Sequence, residues 1–175
     1  MFAPLASVLA LWREFYGLVG TAAAALVALL FVAASIGAGT LSVERAAATR
    51  TYMSPIVCHF TVVLFACAVG LVPSHTGASF GLLIGATALA GLFYSGAILM
   101  RVLKDANIDL ADRLGYGVAP VVGYVAALAA AVLFFLGSRR AADVLGGALL
   151  LLLIANIRNA WDLALFLARK RTGSS

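Results

Sequence analysis

The chain has 175 residues, of which 64% are hydrophobic and 11% charged, and its mean hydropathy is +1.09. Soluble domains carry about 25% charged residues, and a chain this short cannot hide so much apolar surface from water, so the composition excludes a soluble globular domain and points to a polytopic membrane protein. The net charge of +5 is no nucleic-acid signature: most Lys and Arg lie between apolar segments, as the positive-inside rule requires, and nucleic acid is not an expected partner.

The start, Met1-Phe2-Ala3-Pro4, lacks a basic n-region, so no cleavable signal is expected. Residues 1–16, with Trp12, Tyr16 and the pair Arg13 and Glu14, read as a short interfacial helix leading into the membrane. A transmembrane domain over 17–171 follows. Its first span is expected over 17–39, with an Ala-rich face suited to close packing. A polar linker over 40–54 holds Glu44, Arg45 and Arg50.

The second span, 55–72, is expected to start at Ser54-Pro55, with Ser as N-cap and Pro at the first helical position, and to end in the turn Pro73–Gly77. Cys58 and Cys67 lie on it roughly 13 Å apart, too far for a disulfide, and read as small packing residues. The third span, 79–100, carries Gly81 and Gly85 as a GxxxG pair. Residues 101–116 are the longest polar stretch, with rough helical spacing of apolar residues, and predict a connector lying on the surface. The fourth span, 117–136, has Pro120 in its first turn and ends at Gly137-Ser138-Arg139-Arg140. The fifth, 144–168, is closed by Arg169-Lys170-Arg171, and the tail 172–175 is expected to be disordered. The predicted fold class is all-α, a bundle of five transmembrane helices.

Five spans place the termini on opposite sides. Arg13, Arg139 and Arg140 fall on one side; Arg45, Arg50, Arg101, Lys104, Arg113, Arg169, Lys170 and Arg171 fall on the other. The second group is expected to be cytoplasmic, with the N-terminus outside, in a bacterial inner membrane.

The polar residues inside spans carry what functional signal there is. Asn156, Arg158, Asn159 and Asp162 interrupt the most apolar stretch of the chain. Arg or Asp at the centre of a membrane helix costs roughly 2.5–3.5 kcal/mol on insertion scales, so this face must turn toward protein or water. Arg158 and Asp162 stand at i, i+4 and can pair. Counted from the ends of the expected spans, Arg158 lies near mid-membrane and His59 roughly 6 Å inside the cytoplasmic end, with Tyr94, Ser95 and Tyr124 in the same half. His59, Tyr94 and Tyr124 are then the expected partners of the guanidinium.

Two readings compete. The cluster is interhelical glue, or it lines a water-filled pathway. No Walker loop, GxSxG elbow or HExxH motif is present. Ser95 and His59 could pair as a Ser–His dyad, but nothing orients them. Neither an enzyme, a cofactor nor a metal site is expected. Five short helices enclose little volume, so a pore would form between identical subunits, with the Gly- and Ala-rich faces as contacts. The leading expectation is a small homo-oligomeric channel or transporter for an ion or small solute. Arg158, Asn159, Asn156 and Asp162 would line its pathway, with His59, Tyr124, Tyr94 and Ser95 beside it. The alternative is a non-transporting accessory or scaffold subunit of a larger membrane complex.

Overall fold

A computed structural model describes residues 5–38, 43–104 and 109–172, with side chains over 7–35, 54–104 and 109–165. The described chain is all-helical. A short helix α1 (Leu5–Leu11) precedes α2 (Arg13–Ala38), α3 (Val43–Gly70) and α4 (Gly77–Lys104). The short α5 (Leu110–Asp112) runs through a π-helical turn, Arg113–Val118, into α6 (Ala119–Phe135), and α7 (Ala141–Thr172) follows. Four stretches are long and apolar enough to cross a bilayer: Arg13–Ser35, Gly77–Lys104, Leu110–Phe135 and Ala141–Leu165. Ser54–Gly70 in α3 is a shorter apolar helix, so length and composition mark four spans where the sequence suggested five.

The helices pack as a row, α4–α6–α7, and a pair, α2–α3, joined chiefly through α3 and α7. α4 lies along α6, α6 along α7 and α2 along α3, while α3 also touches α7 and α4. The contacts are small-residue contacts. At Gly81 a Cβ would sit 2.9 Å from the Ala131 carbonyl oxygen, and at Gly85 it would meet Ala131 Cβ at 3.4 Å. The GxxxG pair is therefore used inside the protomer, against α6, and is not left free for subunit contacts. Phe80 and Phe134 meet edge-on in the same seam, 4.7 Å between ring centres. The outer faces carry Leu18, Phe31, Leu82, Phe93, Val132 and Ile154, all exposed. Large apolar side chains facing outward around a packed core suit a lipid solvent.

One end of the bundle gathers the start of α2 and both tight turns. Tyr16 is fully buried against Gly70 and Trp12 lies against Gly146. The turn into α4 is capped reciprocally: Ser79 N–H donates to Thr76 Oγ1 at 3.1 Å and Thr76 N–H to Ser79 Oγ at 2.9 Å. α6 ends in a Schellman motif. Ser138 N–H donates to Leu133 O at 2.9 Å and Gly137 N–H to Phe134 O at 3.1 Å, with Gly137 at φ 65°. Arg13, Arg139 and Arg140 belong to this end; Arg101, Lys104 and Arg113 lie at the other.

Three sequence expectations are corrected. The helix does not start at Ser54-Pro55: α3 begins at Val43 and passes through Pro55, because Glu44 and Ala46–Ala48 are strong helix formers and a proline removes only one ladder bond. The surface connector over 101–116 does not form either. Arg101–Lys104 complete α4 and Leu110 opens the next rod, so both polar ends extend spanning helices; residues 105–108 lie outside the description. The first helix is shorter than the predicted 1–16: α1 stops at Leu11 and Tyr16 lies in α2, buried in the core. The expected tail falls almost wholly outside the described residues. Cys58 and Cys67 are free, and Cys67 is buried with its Cβ 3.0 Å from the site of a Cβ at Gly20.

Candidate functional site

The polar residues expected to form one cluster separate into two bonded groups, and Asn156 and Ser95, both buried, bond to neither. The first group sits where α3, α4 and α6 meet. His59 Nδ1 and the Tyr124 hydroxyl are hydrogen-bonded at 2.7 Å, and both residues are buried. Tyr94 stands edge-on to the imidazole, 6.1 Å between ring centres, and is itself exposed at the rim. Gly91 makes room for Tyr124: its Cα face lies so close to the phenol ring that an added Cβ would overlap it. Ser95 Oγ has no hydrogen-bond partner, so it is not bonded to His59.

The second group joins α7 to α5 and the π turn. Arg158 Nη1 donates to Ala111 O at 2.8 Å, Nη2 lies 3.6 Å from Asp112 Oδ1, and Nε lies 3.8 Å from Asp162 Oδ2. The expected i, i+4 pair is therefore present. The partners expected from other spans are not: Asp112 and a backbone carbonyl hold the guanidinium in place of His59, Tyr94 and Tyr124. The three charged side chains are 44%, 50% and 39% exposed in the order Arg158, Asp112, Asp162. Asn159, one residue on, turns inward and is buried. Its Nδ2 donates to Gly115 O at 3.2 Å, and its own carbonyl oxygen accepts from the Tyr116 hydroxyl at 3.1 Å.

Four buried oxygens among the described residues have no hydrogen-bond partner: Ser95 Oγ, Asn156 Oδ1, Asn159 Oδ1 and, at the opposite end of the bundle, the Tyr16 hydroxyl. Asn156 Nδ2 is occupied by the Leu152 carbonyl one turn back, at 2.7 Å. Such orphaned groups cost about 1–3 kcal/mol each when dehydrated. Ser95, Asn156 and Asn159 lie toward the end of the bundle that holds Arg158, since Ser95 and Asn156 are far along α4 and α7 from the tight turns, whereas Tyr16 lies beside those turns. No group of three or more metal-binding side chains occurs among the described residues.

Depth is read along the apolar stretches. Ala141 to Arg158 is about 25 Å of helix and Arg158 to Leu165 about 10 Å, so Arg158 stands nearer one end of its apolar stretch, level with Asp112. Gly70 to His59 is about 16 Å and His59 to Ser54 about 8 Å, so His59 also stands nearer one end of its own.

Sequence reading missed Asp112, Tyr116 and Gly115, which it placed in a connector or an interface. The usable signal was Pro120: a proline early in a helix leaves a carbonyl free four or five residues before it, and Gly115 O is that carbonyl. No known protein family, curated protein or solved structure matches the chain.

Proposed function

We propose that the chain crosses the membrane five times, with Ser54–Gly70 as the core of the fifth crossing, and works as a small homo-oligomeric channel or transporter. The reading is carried by the orphaned oxygens of Ser95, Asn156 and Asn159, buried beside a half-exposed trio of charges. Lipid can neither hydrate such oxygens nor cover the charges of Arg158, Asp112 and Asp162. Water or a small solute can do the first, and a second copy or water the second. Arg158, Asp112 and Asp162 form the mouth, Asn159, Asn156 and Ser95 the polar lining behind it, and the His59–Tyr124 pair marks its inner limit. The segregation of Arg13, Arg139 and Arg140 to one end supports an orientation with the N-terminus outside and the C-terminus cytoplasmic, in a bacterial inner membrane.

The test is flux through liposomes holding the purified full chain. Transport of an ion or small neutral solute is expected, altered in rate or selectivity by Arg158→Ala and Asp162→Asn and reduced by Asn156→Leu, with assembly intact. Unchanged flux in all three variants refutes the pathway. A chain that carries no flux and purifies from native membrane with a stoichiometric different protein is an accessory subunit instead.

A further inference from the structure

The turn Arg113–Val118 is wound as a π-helix, and Ala119 N–H donates to Leu114 O, five residues back. In that register the next donor, opposite Gly115 O, would be residue 120. Residue 120 is proline and has no N–H. Asn159 Nδ2 supplies the missing donor across the helix interface, at 3.2 Å. In an ordinary α register Ala119 would serve Gly115 O, and the gap left by Pro120 would fall opposite Tyr116 O. The two registers therefore differ in which carbonyl is orphaned, and the amide of Asn159 stands opposite the one that the π register leaves. Two further bonds tie the same turn to α7: Tyr116 hydroxyl to Asn159 O at 3.1 Å and Arg158 Nη1 to Ala111 O at 2.8 Å. Gly115 permits the approach, since a Cβ there would sit 2.8 Å from Arg158 Nη1 and 3.1 Å from Asn159 Oδ1.

We propose that Arg113–Val118 is a two-register hinge at the charged mouth, held in its π register by the side chain of Asn159. Conversion to the α register takes up one residue. Everything before the turn then rotates by about 100° and shifts by about 1.5 Å, which carries Asp112 away from Arg158 and opens the trio. Single π turns within α-helices recur at functional sites because they can migrate or close at small cost. The role of this hinge as a gate rests on the transport reading; its existence does not.

Amide hydrogen exchange of the full chain in nanodiscs tests it, read on peptides covering residues 109–121, beside flux in liposomes. Asn159→Leu is expected to speed exchange over 115–119 about fivefold, the effect of one net hydrogen bond. Pro120→Ala returns a backbone donor, so exchange there slows, and Asn159→Leu in that background adds less than about twofold. Unchanged exchange in Asn159→Leu, or the same acceleration in both backgrounds, overturns the hinge. If Asn159→Leu does not fold, Pro120→Ala alone decides: unchanged or faster exchange overturns it. Altered exchange in a protein without flux keeps the hinge and removes the transport reading; flux with unaltered exchange does the reverse.

Discussion

Gly91 offers the sharpest test of the packing around His59 and Tyr124, because Gly96 on the same helix is its control. A Cβ at residue 91 would overlap Tyr124 Cε1 and Cζ, whereas one at residue 96 meets nothing within 4 Å. Carbon atoms rest at about 3.5–4.0 Å, so in Gly91→Ala the phenol ring must retreat by more than about 1 Å. Tyr124 is fully buried and its hydroxyl is 2.7 Å from His59, so that retreat breaks the hydrogen bond. Overpacking costs about 1–3 kcal/mol, and loss of an interhelical hydrogen bond adds about 0.6–2. Both substitutions gain the same helix propensity, about 1 kcal/mol, which cancels in the comparison. Gly91→Ala should therefore be less stable than Gly96→Ala by about 2–5 kcal/mol, read as the midpoint of SDS-induced unfolding in mixed micelles. Stabilities within about 0.5 kcal/mol of each other would show that the ring has space the described packing denies it.

Two further outcomes follow from the same contacts. Tyr124→Phe keeps the ring and deletes the hydroxyl, leaving His59 Nδ1 buried without its partner; a loss of about 0.6–2 kcal/mol is expected, and a double-mutant cycle with His59→Phe should recover most of it as coupling. At the opposite end, a Cβ at Gly146 would come within 2.5 Å of Trp12 Cζ3, while neighbouring Gly147 has open space. Gly146→Ala should cost about 1–2 kcal/mol and change Trp12 fluorescence in a Trp161→Phe background, with Gly147→Ala close to wild type in both.

The all-helical class and the tight turns were legible because they follow from local chemistry. An apolar run of this length demands an internally bonded backbone, and Gly137 marks a helix end by taking a positive φ. The Arg158–Asp162 pair was legible for the same reason, since i, i+4 geometry is intrinsic to a helix. Long-range pairings were not. Nothing in the residues alone ties Tyr116 to Asn159, or chooses Asp112 over His59 as the partner of Arg158. Those choices depend on how α4, α6 and α7 are staggered, which is fixed by contacts such as Gly81 on Ala131 and Gly123 under Leu152. The same staggering uses Gly81, Gly91 and Gly123 within the chain and leaves Gly96 open.

Local rules misplaced the helix boundary at Pro55. Read as a helix start, Pro55 puts His59 one turn from a membrane face. With α3 running from Val43, His59 has about 24 Å of helix on one side and about 16 Å on the other. Arg158 has about 25 Å of α7 before it and about 21 Å after it; its level is marked by Asp112, at the start of the neighbouring rod. The energetic demands follow the positions. The imidazole of His59 has one ring nitrogen bonded, by Tyr124. A guanidinium has five donors and cannot be kept in hydrocarbon by one carboxylate. Half-exposed and level with the start of the neighbouring rod, with two carboxylates and the Ala111 carbonyl around it, Arg158 need not be. On the proposed pathway, the charge that first suggested a mid-membrane site belongs to the mouth, with Asn, Ser, His and Tyr behind it.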